Sequence, residues 1–294
     1  MFSFEDICTA FDRISGIIHK TPVMTSSYID SLCGMEVYFK CEHLQKTGSF
    51  KARGALNAVL TFIITHSSGN FGQALAWAAK THNISCLVVT PTNIPTSKLN
   101  AMKDYGANIV FCEPKDREVV CKNVRDNDKN IEMVHSFDDH RVMAGQGTIA
   151  IEFLEQIPDL DALLVAIGGG GLCSGIVVAA KKIKPSIKVY CVEPEGKDLQ
   201  HSFDSNARLW DANAGPIKTI ADGIRILRVG EKCFSSICEK CEKKVLTVQA
   251  IEPTGAVSLA ALLKYKDELA AQNLKKIGAI FCGGNIDLER LSFF

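Results

Sequence analysis

The chain has 294 residues, with 33 basic and 33 acidic side chains, so its formal net charge is zero; 47% of it is hydrophobic and 22% charged. That composition suits a globular chain with one large or two medium cores, and excludes a basic field for nucleic acid or a charged face for membranes. No run of about 18 apolar residues offers a membrane span. Met1 to Asp6 lacks the basic-then-apolar pattern of a secretion signal, so a cytoplasmic protein is expected.

In chain order, Gly48 allows a tight turn and Ser49 is a good N-cap for a helix over 50–60. Lys51 then lies at the helix start beside positive dipole ends, where a partly desolvated amine loses its proton readily enough to form a Schiff base. The plain alternative is a capped helix with a surface lysine. Phe62-Ile63-Ile64 reads as strand, and a helical pattern runs from Gln73 to Lys80. Between them lies Thr65-His66-Ser67-Ser68-Gly69-Asn70-Phe71-Gly72. Small hydroxyl and glycine residues between a strand and a helix N-terminus form either a pocket of backbone N–H groups or an ordinary turn. Strands are expected over 84–89 and 108–112, and helices over 96–105, closed by Gly106, over 118–125 and over 142–156.

The buried-strand run 162–167 ends in Gly168-Gly169-Gly170-Gly171, followed by a helix over 172–183 and a strand over 187–192. Four consecutive glycines are unfavourable for chain entropy, and make sense as a hinge or where backbone must closely approach a phosphate. Their spacing is neither the dinucleotide fingerprint nor a P-loop. The alternation of strand and helix is the βαβ rhythm of an α/β fold, with ligands at the C-terminal ends of strands. Twelve cysteines are scattered, many in apolar segments as at Cys86, Cys112, Cys173 and Cys191, and are expected to be reduced thiols. Cys233, Cys238 and Cys241 hold one C-x-x-C, but no second pair or spaced histidines complete a zinc pattern.

Taken together, the Lys46–Gly54 stretch, the Thr65–Gly72 loop and the glycine run resemble those of the fold-type II pyridoxal 5′-phosphate enzymes, within them the family of serine racemases and serine/threonine dehydratases. The similarity continues through Thr21-Pro22-Val23, Ala144-Gly145-Gln146-Gly147-Thr148, Thr219-Ile220-Ala221-Asp222-Gly223 and Cys282-Gly283-Gly284-Asn285. It implies a tryptophan-synthase-β-like α/β fold, with two open, twisted, mostly parallel sheets flanked by helices. The large cofactor-binding domain would comprise residues 1–62 and 139–294, and the small, substrate-closing domain residues 63–138.

The resemblance further implies that Lys51 holds pyridoxal 5′-phosphate, with Phe50 against the pyridine ring and Asn70 hydrogen-bonded to the ring hydroxyl. Gly168, Gly169, Gly170, Gly171 and Leu172 would give N–H groups to the phosphate, and Cys282 would face the pyridine nitrogen. Ser67, Ser68, Gly69 and Asn70 would bind the substrate, chiefly its carboxylate. Lys51 would remove the substrate α-proton on one face. Ser68 would serve the other, because one base returning its own proton tends to preserve configuration. Many dehydratases resemble this loop with alanine there. The implied activity is interconversion of L- and D-serine, with β-elimination to pyruvate and ammonia as a companion reaction. A serine/threonine dehydratase without racemisation and a catalytically impaired paralogue are the alternatives. Threonine is a further substrate, and aspartate ranks last, since the serine cluster that its users show near Phe137 is absent. A homodimer and an ATP effector are also implied.

Several positions depart from the racemase pattern. Phe71 replaces a histidine, Asn123 lies near an expected lid arginine, and Ser136-Phe137-Asp138-Asp139 looks like a dehydratase loop. Cys282 also resembles the dehydratases, and a thiol is a weak donor to a pyridine nitrogen. Glu193 matches the first carboxylate of a magnesium or calcium site, with the Lys197 carbonyl as a second ligand. The later aspartate falls on Leu199, and Asp198 would replace it only if the loop shifts. Two connections are short, at Leu60-Thr61 and between Val248 and Ile251, where relatives carry about a dozen and about twenty more residues. A poorly stable chain is therefore expected.

Overall fold

The structure, a computed structural model, describes residues 2–59, 62–67, 69–211, 215, 217–219, 221–248 and 254–285. Both short connections lie at or in gaps between these ranges. In chain order the elements are α1 (Phe4–Ile14), β1 (Val23–Thr25), α2 (Ser27–Cys33), β2 (Glu36–Lys40), α3 (Lys51–Ala58), β3 (Ile63–His66), α4 (Asn70–Thr81), β4 (Cys86–Pro91), α5 (Thr96–Asp104) and β5 (Asn108–Cys112). There follow α6 (Arg117–Asn127), β6 (Glu132–Met133), α7 (His140–Gln156), β7 (Ala162–Ala166), α8 (Gly171–Ile183), β8 (Lys188–Pro194), α9 (Leu199–Asp204), α10 (Glu231–Lys240), β9 (Leu246–Val248), α11 (Val257–Ala271) and β10 (Lys276–Ile280).

Among the described residues the strands form two sheets, one ordered β1-β2-β10-β7-β8-β9 and the other β5-β4-β3-β6. Every pairing is parallel except β1 with β2. In β7 the period of two is explicit. Leu163 and Val165 pack with Ile149 of α7 and Ile176 of α8, whereas Leu164 and Ala166 pack with Ala261 and Leu262 of α11. The smaller sheet divides in the same way: Ile63 faces Ala74 and Leu75 of α4, and Ile64 joins Cys121 of α6. Parallel pairing lines up the C-terminal ends of β7 and β10 in one sheet and of β3 and β4 in the other, and the segments carrying Asn70, Gly168 and Cys282 leave their sheets at strand C-termini.

Two local expectations are corrected. Helix α4 starts at Asn70, three residues before the expected start, because the Ser67 hydroxyl accepts the N–H groups of Gly69 (3.3 Å) and Gly72 (3.0 Å) and caps the turn. Ser49 does not cap α3. Its backbone is extended (φ −163°), Phe50 occupies the cap position, and the buried Ser49 hydroxyl has no partner among the described residues.

Helix α3 is instead anchored by buried charge. Arg53 donates to Glu42 through Nε and Nη2 (both 2.7 Å) and to Glu152 through Nη1 (2.7 Å) and Nη2 (2.9 Å). Lys40 donates to Glu152 (2.8 Å), Gln156 (2.9 Å) and the Thr21 carbonyl (2.8 Å), and the Thr21 hydroxyl donates to Glu42 (2.6 Å). Two cations and two carboxylates, all essentially inaccessible to solvent, thus cancel inside the large core and pin α3 between the end of β2 and α7.

Candidate functional site

Lys51 is held by two loops that zip together. The Phe50 N–H donates to the Cys282 carbonyl (3.1 Å), the Gly284 N–H to the Gly48 carbonyl (3.0 Å), and Ser49 bridges antiparallel to Gly283. Asn285 Nδ2 donates to the Thr47 carbonyl (2.7 Å) and to Asn70 Oδ1 (3.0 Å). Gly48 has φ +72°, and a Cβ there would lie 2.3 Å from Asn285 Oδ1, so both the turn and the close approach require glycine. Because Asn70 Oδ1 is used in this way, its Nδ2 is the donor left for a ligand.

The Lys51 amine donates to the Ser136 carbonyl at 3.0 Å and lies 4.9 Å from the Phe50 ring centre and 5.7 Å from that of Phe71. Burial lowers its pKa to about 8, and the nearby Cys233 and Cys282 offset this only in part. A half-buried lysine largely without carboxylate company is a nucleophile in waiting. The Cys282 thiol is pushed up to about 12 by burial and stays protonated at neutral pH.

The glycine run forms a cradle. The N–H groups of Gly168, Gly169, Gly170, Gly171 and Leu172 have no hydrogen-bond partner among the described residues, and they precede the 13-residue α8. Such a row at a helix N-terminus is a phosphate site in the making. Gly170 has φ +101°, and a Cβ on Gly169 would come within 2.2 Å of the Phe137 ring. Side chains are therefore excluded for both conformational and steric reasons. The unpartnered N–H row, the amine, Asn70 Nδ2 and the protonated Cys282 thiol are of the chemical kinds that the phosphate, aldehyde, ring oxygen and ring nitrogen of pyridoxal phosphate would call for.

Other expected residues fare differently. Ser68 and its part in the substrate loop lie outside the described residues. Ser67 is spent locally: its N–H donates to the Val89 carbonyl (3.0 Å) and its oxygen caps α4, which leaves only its O–H for a ligand. Gly69, the residue before α4, remains beside it. Phe71 is buried, and Asn123 is exposed on α6. The divalent-cation set is not assembled. Glu193 accepts from Leu199 N (3.0 Å) and Thr247 Oγ1 (3.1 Å), which engages both carboxylate oxygens, and burial raises its pKa. The Lys197 amine is directed to the Ile226 and Leu227 carbonyls. Asp198 is exposed, with His201 as its ionic partner at 3.8 Å. With the Glu193 carboxylate engaged within the fold and Asp198 turned to solvent, the side chains as placed form no magnesium or calcium site.

The structure adds a strap over 135–138 that sequence reasoning missed. His135 Nδ1 accepts the N–H groups of Phe137 (3.4 Å) and Asp138 (3.0 Å). Asp138 caps α10 by accepting from Glu231, Lys232 and Cys233 N–H groups at 2.9–3.2 Å. Gly230 N–H donates to the Gly169 carbonyl (2.9 Å). The strap therefore couples the Lys51 amine, the glycine cradle and α10. Asp138 lies 93 residues or more from the N–H groups it caps, so no local spacing signals the contact.

With this geometry in place, comparisons with known proteins become specific. The family described as "Pyridoxal-phosphate dependent enzyme" matches residues 14–250. The chain is 41% identical to the serine racemase of Dictyostelium discoideum, covering 99% of this chain and 97% of that one. It is also 41% identical to the serine racemase of Homo sapiens, over 97% and 92%. Among solved structures, a pyridoxal 5′-phosphate-dependent aspartate racemase superposes with TM-score 0.93 at 42% identity, covering 99% and 98%. A threonine deaminase from T.th. does so with TM-score 0.88 at 36% identity, covering 97% and 99%. The alignment with the Dictyostelium protein spans 318 positions against a chain of 294, so at least 24 of its positions have no counterpart here. That shortfall has the size expected of two shortened connections.

Proposed function

Because this chain belongs to the family of pyridoxal-phosphate dependent enzymes, we propose that it interconverts L- and D-serine and, as a companion reaction, eliminates water from serine to give pyruvate and ammonia. The observation that carries this reading is the Lys51 amine, enclosed and lowered in pKa beside an unpartnered phosphate cradle and a protonated Cys282. The near full-length similarity to serine racemases supports the choice of substrate.

Pyridoxal phosphate, held by the Lys51 amine at rest, would supply an electron sink that acidifies the α-hydrogen of a substrate whose own amine has displaced Lys51 from it, an exchange that frees the Lys51 amine. Gly168–Leu172 bind the phosphate, and Asn70 Nδ2 donates to the ring oxygen. The Cys282 thiol gives the ring nitrogen only a weak hydrogen bond, which limits the sink and suits elimination and two-base racemisation. Lys51 removes the α-proton from its own face, with the Ser136 carbonyl fixing the direction of the amine. Phe50 and Phe71 shield that amine from water. Ser68 supplies the proton on the opposite face. The small domain, 63–138, closes over serine, the protein works in the cytosol as a homodimer, and ATP modulates it. Exposed Met24 of β1 and Tyr28 of α2 support an interface on that side.

Ser68→Ala is expected to reduce D-serine formation by about 10²-fold or more while elimination from L-serine persists. Parallel assays of D-serine and pyruvate check this, and an unchanged product ratio would remove Ser68 as a base. The same ratio in the wild type tests the second reading, a dehydratase without racemisation, which Cys282 and the Ser136–Asp139 loop favour. Threonine is the next substrate to assay, and aspartate the last.

Cofactor capture should also carry the Lys51 titration. The neutral amine is the nucleophile, so the rate at which cofactor-free protein gains visible absorption on mixing with pyridoxal phosphate should rise with pH and level off above about 8. A rate still climbing in proportion to hydroxide towards the range of an ordinary lysine would show that burial does not tune this amine.

A further inference from the structure

Cys233, Cys238 and Cys241 are neighbours in sequence, but the fold separates them. The Cys233 thiol donates to the Phe137 carbonyl (3.2 Å) and that of Cys238 to Asn206 Oδ1 (3.2 Å). Cys241 instead meets two cysteines from distant elements. Cys173 Sγ, in the first turn of α8, lies 3.5 Å from Cys191 Sγ on β8 and 3.6 Å from Cys241 Sγ just beyond α10. All three sulfurs lie within 4.8 Å of one another, and Cys173 and Cys191 are fully buried in the apolar core. The Glu242 N–H donates to the Val189 carbonyl (2.9 Å), which holds the Cys241 segment against β8.

We propose that Cys173, Cys191 and Cys241 form a binding site for one soft, thiophilic metal ion, of the zinc(II) or copper(I) class. Such ions select sulfur ligands. At a metal–sulfur distance of about 2.3 Å, the 3.5 and 3.6 Å separations from Cys173 subtend about 100° at the metal, close to tetrahedral. Cys191 and Cys241 lie within 4.8 Å of each other and would draw together to complete the set. Three thiolates around a divalent ion leave one net negative charge in an apolar pocket, and around a monovalent ion two, so burial also favours zinc. The site has a structural consequence, because Cys173 lies two residues past Gly171. A bound ion would fasten the cradle helix α8 to β8 and the end of α10.

The test uses the full-length holoenzyme, loaded separately with zinc(II) or copper(I), freed of excess ion, and examined by metal analysis and X-ray absorption. The expected result is about one retained ion per chain with three sulfurs near 2.3 Å. It should be lost in Cys173→Ala and in Cys241→Ala, and kept in Cys121→Ala, a buried cysteine of α6. Zinc retained over copper would uphold the charge argument, and copper alone would overturn that part of it. No stoichiometric ion, a shell of oxygen and nitrogen, or an ion retained by both Cys173→Ala and Cys241→Ala would overturn the site. So would a disulfide within the triad of the freshly purified reduced protein. The sulfur count in the wild type decides the matter even if a variant fails to fold.

Discussion

Lys51→Ala is expected to abolish the visible absorption that the wild type acquires with pyridoxal phosphate, and to end both racemisation and elimination. The side chain has two duties, covalent attachment and proton removal, and the second alone is worth about 10²–10⁴-fold in rate. The remaining site should still recognise the phosphate, because the N–H groups of Gly168–Leu172 are unpartnered and independent of Lys51. The variant should therefore bind pyridoxal phosphate weakly and reversibly without the wild-type spectrum. Lys51→Arg separates charge from nucleophilicity: arginine keeps a cation but cannot act as the amine. A visible band and turnover in Lys51→Ala would refute the assignment of this lysine. The absence of a band in the wild type as well would mean that the shortened connections have broken the pocket, and the impaired-paralogue reading would lead.

The second large effect belongs to stability. Glu152→Ala should lower the unfolding free energy by about 3–5 kcal/mol, measured by urea denaturation, because it leaves Arg53 and Lys40 buried with Glu42 as their one carboxylate in the network. Burial raises the Glu152 pKa, but the hydrogen bond from Arg53 and the charges of Arg53 and Lys40 more than offset this, so the net shift is downward. A carboxylate whose folded pKa is depressed contributes stability that is present above its unfolded pKa. That contribution disappears as pH falls through the lower folded value. The wild type should therefore lose this share of stability in acid below the ordinary glutamate range, and Glu152→Ala should show a flatter acid limb. A change under about 1 kcal/mol, the scale of exposed pairs, would show that the network is solvated. The same melts test the expected poor stability of a chain with two shortened connections. A cooperative wild-type transition at ordinary mesophile temperatures would dismiss it.

Much of the site is legible in the order of residues. Glycines stand out because backbone freedom is a property of the residue itself: Gly48 and Gly170 do adopt positive φ, at a turn and at a helix entrance. The alternation of strands and helices survives for a related reason. Burial imposes apolar patterning directly on the order of residues, and the elements from β3 to β8, apart from the two-residue β6, follow the expected segments to within a few residues at each end. The resemblance then supplies roles for Lys51, Asn70 and Cys282 that spacing alone does not specify.

What the order of residues could not show is everything that depends on distant segments meeting. Arg53 stands two residues from Lys51, yet its partners lie 11 residues before it and 99 after it. Ser49 has the chemistry of a cap and is not one, because pairing with Gly283 extends its backbone. Glu193 at the end of β8 and Asp198 just before α9 are close in sequence without sharing a ligand, since Leu199 and Thr247 claim the first and solvent the second. Cys241 shares a C-x-x-C with Cys238, yet packing sets it beside Cys173 and Cys191. Backbone conformation and the chemistry on offer act over a few residues, and so were written in the chain. Which groups lose water and which charges face each other was decided by the folded arrangement alone, because solvation and Coulomb energy depend on distance in space, not along the chain.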